Sequence, residues 1–210
     1  MMKLEDVTIV IATHGDRSWW ELAESRALPS AVAQGVAVET LHQYDETLAD
    51  TRNRVLDRVK TSHVVYLDAD DELEPFFVRW LVEGAADLRA PAVRYVRDSI
   101  GPDVKARMPR VAGHDHGCTG DCLPFGNWLV VGSLAPVNLI RAVGGWREWP
   151  AYEDWDLWLR CWQAGATVEA IPRAIYKAHV RPDSRNRAGT AQERHEAHRQ
   201  IAAANGVPVP

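Results

Sequence analysis

Val64-Val65-Tyr66-Leu67 runs straight into Asp68-Ala69-Asp70-Asp71-Glu72. A short apolar run bounded by a polar break reads as a central strand of a parallel sheet. Its acids therefore sit beyond a strand's carboxyl end, where open α/β sheets hold ligands. Asp68 and Asp70, two apart, can offer hard oxygen ligands to Mg²⁺ or Mn²⁺, and a cation held there can grip the phosphates of a nucleotide. The plainer reading is an acidic turn leading into a helix, capped by Asp71 ahead of Glu74 and Pro75. A second acidic group, Tyr152-Glu153-Asp154-Trp155-Asp156, opens a helix whose Trp158, Leu159 and Trp162 should face the core. Acids there stabilise the helix dipole whether or not they do chemistry. A joint chemical role requires the two groups to meet in space.

The elements around them follow an α/β rhythm. Val7 to Ala12 is β-branched and apolar, a first strand that breaks at Thr13-His14-Gly15-Asp16. Residues 18 to 34 read as helix, with Ser18 as N-cap, Gly35 as the stop, and Pro29 implying a kink or two shorter pieces. Val36 to Gln43 is a second strand ending at Tyr44-Asp45. Leu48, Val55, Leu56 and Val59 recur at helical spacing, with Arg52 and Asn53 inside that helix. Strand, helix, strand, helix, strand makes a Rossmann-like half with a parallel sheet, whose ligand edge collects the three strand ends. A helix near 75–87 and a strand at 92–96 continue the pattern. Residues 98–127 are dense in Gly and Pro and read as turns and loops. Beyond them the pattern predicts a strand over 128–134, a short helix over 136–143, a helix over 153–164, a strand over 167–171 and a terminal helix over 192–205.

Composition narrows the partners. A formal net charge of -5 and a pI near 5.9 argue against a nucleic-acid binder relying on bulk positive charge. The 46% hydrophobic and 25% charged content is that of an ordinary globular domain, and 210 residues suffice for one real core. No stretch is apolar enough for a membrane span or signal peptide, so a cytoplasmic protein is expected. Three cysteines form no disulfide framework and suit a reducing compartment. Trp146, Trp149, Trp155, Trp158 and Trp162 cluster near the second acidic group; each is more readily explained as packing than as a ligand platform.

In order, Val7 to Thr13, Ser30 with Gln34, Tyr44-Asp45, Ala49 to Asn53, Val65 to Asp71, Val143-Gly144-Gly145-Trp146, Glu153 to Arg160, and Ala164-Gly165 resemble the family 2 glycosyltransferases of the GT-A fold. These are inverting enzymes that use a nucleoside-diphosphate sugar. The similarity spans about residues 7–187. It implies a single α/β domain with a Rossmann-like, mostly parallel central sheet flanked by helices. Residues 1–97 would form the nucleotide-sugar half, 98–190 the acceptor and catalytic half, and 191–210 a terminal helix and tail. It further implies that Ala12, Thr13 and Asp45 contact the nucleoside, helped by His14, Arg52, Asn53 and Ala69. Asp68 would lie near the ribose and Asp70 would ligate Mn²⁺ or Mg²⁺. Asp154 takes the general-base role, with Glu153 the competing candidate, and Gly145, Trp146 and Trp155 line the acceptor side. His179 would complete the metal or diphosphate site, while Arg181, Arg185 and Arg187 offer forked donors to phosphate. The chain departs from the family at Tyr44-Asp45-Glu46-Thr47 and at His14-Gly15-Asp16, which leaves the donor base open.

Other readings are weaker. His114, His116, Cys118 and Cys122 could supply zinc ligands, but on a Gly-rich loop without the usual distant partners. His195-Glu196-Ala197-His198 lacks zinc-protease spacing and reads as a solvated helix face. A dehalogenase-type phosphohydrolase also places Asp-x-Asp after a strand, but on its first strand. Nucleotidylyltransferases and dehydrogenases need glycine-rich loops absent after the first strand here. A non-catalytic carbohydrate or nucleotide-sugar binding module of the same fold would need no Asp154. The acceptor is expected to be a glycan, a small molecule or a protein side chain.

Overall fold

Strand β1 (Val7–His14) is the spine: Val7, Ile9, Val10 and Ile11 are wholly buried, as a central parallel strand covered on both faces must be. It pairs in parallel with β2 (Ala37–Gln43) on one side and β3 (His63–Tyr66) on the other. The two-residue strand β6 (Ala135–Pro136) adds antiparallel to β3, giving the order β2-β1-β3-β6. A second sheet, β4-β7-β5, joins β4 (Glu72–Leu73), β5 (Leu88–Val96) and β7 (Val168–His179), with β5 and β7 parallel. A bridge between Arg89 and Leu134 links the two sheets. The computed structural model describes residues 2–96, 120–180 and 190–209.

The crossovers are helical, as the sequence pattern predicts. The segment holding Pro29 is indeed two pieces, α1 (Ser18–Ser25) and α2 (Ala27–Val32), and Gly35 ends it with φ 70. Ser18 is the first residue of α1 and not its cap; Arg17 stands at the N-cap without a side-chain bond, and Asp16 Oδ1 accepts the Ser18 N–H at 2.8 Å. Thr47 caps α3 (Leu48–Leu56), its hydroxyl accepting the Asp50 N–H. Helix α4 is Phe77–Val82, α5 is Val137–Ala142, α6 is Glu153–Gln163 and α7 is Ala191–Asn205. A 3-10 turn, Gly120–Phe125, lies in the region expected to be irregular and packs along α6.

The strand expected over 128–134 does not form. Trp128, Leu129 and Val131 are buried as that expectation requires, but in a turn. Gly132 there lies so close to the Tyr176 ring that a Cβ would sit 2.3 Å from Cδ2. Strand β7 conversely runs well past Ile171, because Pro172-Arg173 masks a continuation in which Ala174 and Tyr176 are fully buried. Trp155 and Trp158 are wholly buried and Trp149 and Trp162 pack against the core, so the tryptophans are chiefly core material.

Gly145 joins this core to the site. Its φ is +71, and a Cβ would lie 2.4 Å from Asn53 Oδ1. Gly145→Ala should therefore lower stability by about 2 kcal/mol, from left-handed backbone strain and a displaced Asn53 amide. Urea unfolding checks this; a loss under about 0.5 kcal/mol would mean that the close approach is not structurally required.

Candidate functional site

Three parallel strands end side by side. His14 is registered with Gln43, and the Gly15 N–H donates to the Gln43 carbonyl at 2.8 Å, which sets Tyr44 and Asp45 beside the end of β1. Leu67 N–H donates to the Val10 carbonyl, so Asp68, Ala69 and Asp70 emerge on the other flank. Ala12, Thr13, Asp45, Asp68, Ala69 and Asp70 thus gather at one sheet edge. Asp45 is exposed, His14 is partly exposed, and Ala12 and Ala69 are buried. Thr13 is buried too, its hydroxyl hydrogen-bonded to His42 Nδ1 at 2.9 Å.

The acidic turn is braced from several directions. The Asp71 N–H closes it onto the Asp68 carbonyl, Arg26 donates to the Asp70 carbonyl at 3.0 Å, and Asp68 N–H donates to the Tyr176 hydroxyl at 3.3 Å. Ser30 Oγ accepts the Leu73 N–H, while Gln34 donates to the Glu74 carbonyl and accepts the Val78 N–H. Through those bonds Ser30 and Gln34 pin the chain just beyond the acids. Asp71 is not a helix cap. It is buried and accepts the His179 N–H at 2.8 Å. Burial first, then the charges of Asp70 and Asp68, push its carboxyl well above the usual range.

Arg52 joins this turn to α6. Its Nη2 donates to Asp68 Oδ1 at 2.7 Å and its Nη1 to Glu153 Oε1 at 3.0 Å, across sequence separations of 16 and 101 residues. The guanidinium is only 3% exposed and lies 4.3 Å over the Trp146 ring. Burial alone would favour the neutral form, but Asp68 and then Glu153 reverse this and hold its pKa above the ordinary arginine value. The two acidic groups therefore share one side of the molecule.

Several residues expected to touch ligand have structural partners. Arg52 has both forks committed to Asp68 and Glu153 and almost no exposure, so it positions the acids. Asn53 is spent on the backbone of Trp146, donating to its carbonyl at 2.9 Å and accepting its N–H at 2.8 Å. Trp146, 3% exposed, packs edge-on against Tyr66 and Trp158. Trp155 is 0% exposed and donates Nε1 to the Leu123 carbonyl at 2.8 Å. Both indoles are buried in packing, Trp146 against Trp158 of α6 and Trp155 within α6 itself. His198 is no solvated residue: it stacks on Tyr152 at 4.0 Å and meets Trp155 edge-on.

Asp154 and Glu153 occupy different environments. Glu153 is paired with Arg52. Asp154 Oδ1 accepts from Asn127 Nδ2 at 3.0 Å and from the Trp155 N–H at 2.9 Å. Burial first, then the Glu153 charge, push Asp154 up to about 7, against the opposing pull of Asn127, Arg52 and the Trp155 amide. Asn127 was invisible to sequence reasoning; an Asn in a Gly- and Pro-containing stretch carries no signal of its own.

No group of three or more His, Cys, Asp and Glu among the described residues is arranged to hold a metal by itself. Mg²⁺ sites often need only one or two carboxylates plus substrate phosphates. Asp70 stands in the turn beside Asp68, which is paired with Arg52, and the buried Asp71, and a single carboxylate of this kind is what Mg²⁺ can take together with substrate phosphates. His179 arrives beside this turn, but its Nε2 lies 2.7 Å from Glu72 Oε2. Ligation by that nitrogen would have to displace Glu72. Arg181, Arg185, Arg187, His114, His116 and Cys118 lie outside the described residues; Cys122 is a free, buried thiol.

No family model matches the chain, and no curated protein sequence matches it. Among solved structures it is similar to S. aureus TarS 1-349, with 12% identity, 94% of this chain covered and a TM-score of 0.60. The same fragment in complex with UDP-GlcNAc gives 12% and 0.62, and in complex with UDP 13% and 0.58. The fold is GT-A. The chain spans 64% to 65% of the length of those fragments and 39% of a longer TarS structure. No helix among the described residues is long and apolar enough to cross a membrane.

The raised Asp154 pKa links stability to pH. Folding favours its neutral form, so its contribution to stability is full below the unfolded carboxyl pKa of about 4 and is lost as pH rises through about 7. Asp154→Asn, which can keep both hydrogen bonds, should gain on the wild type by on the order of 2 kcal/mol between about pH 5 and about pH 8. Urea unfolding at the two pH values reads this; a pH-independent difference would contradict the assigned environment.

Proposed function

We propose that this chain is an inverting, divalent-metal-assisted glycosyltransferase, in keeping with its resemblance to family 2 enzymes. One observation carries the reading: Arg52 ties Asp68 of the acidic turn to Glu153 at the start of α6, so a donor-side and an acceptor-side carboxylate group stand together. The strand-end residues Thr13, His14 and Asp45 would receive the nucleoside and Asp68 the ribose. Asp70 would hold Mn²⁺ or Mg²⁺, with His179 beside it and the Arg181–Arg187 segment a further source of phosphate donors. A cation so held would stabilise the negative charge that develops on the leaving diphosphate.

Asp154 is the base in this account. An acceptor oxygen attacks the anomeric carbon on the face opposite the diphosphate, the carbon–oxygen bond to the diphosphate breaks, and the acceptor's proton passes to Asp154. One displacement inverts the anomeric centre. Glu153 is less suited, because its charge is committed to Arg52, whereas Asp154 near 7 suits proton removal at neutral pH. TarS has been captured with UDP-GlcNAc and UDP, so a uridine-diphosphate sugar is the first donor to test. The acceptor's class is a glycan, a small molecule or a protein side chain.

Incubation with UDP-GlcNAc and Mn²⁺ should release UDP slowly, with release abolished by chelator and by Asp70→Asn. With an acceptor, Asp154→Asn should reduce transfer by ~10²–10⁴-fold. The wild-type rate constant kcat/KM should fall about tenfold per pH unit below about 7. Donor binding without UDP release would indicate a binding module, and full activity of Asp154→Asn would remove the base.

A further inference from the structure

The chain from the Gly120–Phe125 turn onward reaches the first turn of α6 at two points. Trp155 Nε1 donates to the Leu123 carbonyl at 2.8 Å, and four residues later Asn127 Nδ2 donates to Asp154 Oδ1 at 3.0 Å. The indole bond anchors the segment; the amide bond lands on the carboxylate. Oδ1 also accepts the Trp155 N–H at 2.9 Å. Two donors thus hold one carboxylate oxygen, while no described residue donates a hydrogen bond to Oδ2.

The other end of the Asn127 amide is unusual. Its Oδ1 is buried and has no hydrogen-bond partner. A buried carbonyl left unpaired costs free energy. The amide nonetheless keeps its donor on Asp154 Oδ1, a bond that is charge-assisted whenever the carboxylate is ionised.

We propose that Asn127 is a positioning residue for the proton transfer: with the Trp155 amide it occupies Asp154 Oδ1, directs the acceptor's proton to Oδ2 and favours the ionised carboxylate. This rests on the assignment of Asp154 as base. The charged and titratable groups around Asp154 are Glu153 beside it, Arg52 from α3, and Tyr152 before it, with Arg194 and His198 of α7 facing Tyr152. Glu153 opposes ionisation, Arg52 favours it at a distance, and Asn127 is the side chain among the described residues that donates directly to the carboxylate.

The test is a ¹³C carboxyl titration of Asp154, its resonance assigned with Asp154→Asn, in wild type, Asn127→Ala and Asn127→Leu. The Leu variant keeps the side chain's approximate shape without the donor, so at least one folded variant is expected. The midpoint should rise by about one pH unit in either variant. The acid limb of kcat/KM should rise equally, with donor KM unchanged. A midpoint within about 0.2 units of wild type in a folded variant overturns the proposal. The titration needs no turnover: a shifted midpoint without sugar transfer would sink the transferase reading and leave the Asn127–Asp154 coupling standing.

Discussion

A single buried guanidinium organises the candidate site. Arg52 sits in α3, which crosses from β2 to β3, and its two forks reach the acids after β3 and the acid opening α6. An arginine buried this deeply is tolerable only when its charge is matched and its donors are used. Asp68 and Glu153 provide that match, and Trp146 covers the guanidinium's face. The Asn53 amide, one residue along, clasps the Trp146 backbone and so holds the lid of this arrangement. One turn of helix α3 therefore fixes both the charges and the aromatic that shields them.

The same arrangement separates two adjacent carboxylates. Glu153 is paired with Arg52, while burial and then the Glu153 charge raise Asp154. Paired carboxyls whose environments push their proton affinities apart are a common basis for dividing roles. Here the two environments differ within one helical turn. Tyr152, held with φ 62 just before α6, carries the backbone cost of presenting them, and the His198 ring of α7 stacks against it.

Much of the framework was legible because it rests on local pattern. The β-branched run at β1, the apolar run at β3, Pro29 dividing two helices and Gly35 ending the second are all short-range signals. The gathering of Asp45, Asp68 and Asp70 at one sheet edge followed from parallel topology. What stayed hidden depends on partners far along the chain. Nothing local distinguishes an Arg52 that contacts a nucleoside from one that bridges Asp68 to Glu153, or a Trp155 that lines an acceptor site from one that donates to Leu123. The 128–134 run misled for the same reason: burial was read correctly, but the Tyr176 ring against Gly132 decides its shape.

The most direct test of the central claim compares unfolding free energies of Arg52→Met with the triple variant Arg52→Met, Asp68→Asn, Glu153→Gln. If Arg52 neutralises and joins the two acids, the single change should cost about 3 kcal/mol, near the low end for a buried pair because Asp68 keeps 38% exposure. Removing both acid charges as well should recover more than half of that loss. A single variant within about 0.5 kcal/mol of wild type, or a triple variant no better than the single, would contradict the bridge as the site's organising interaction.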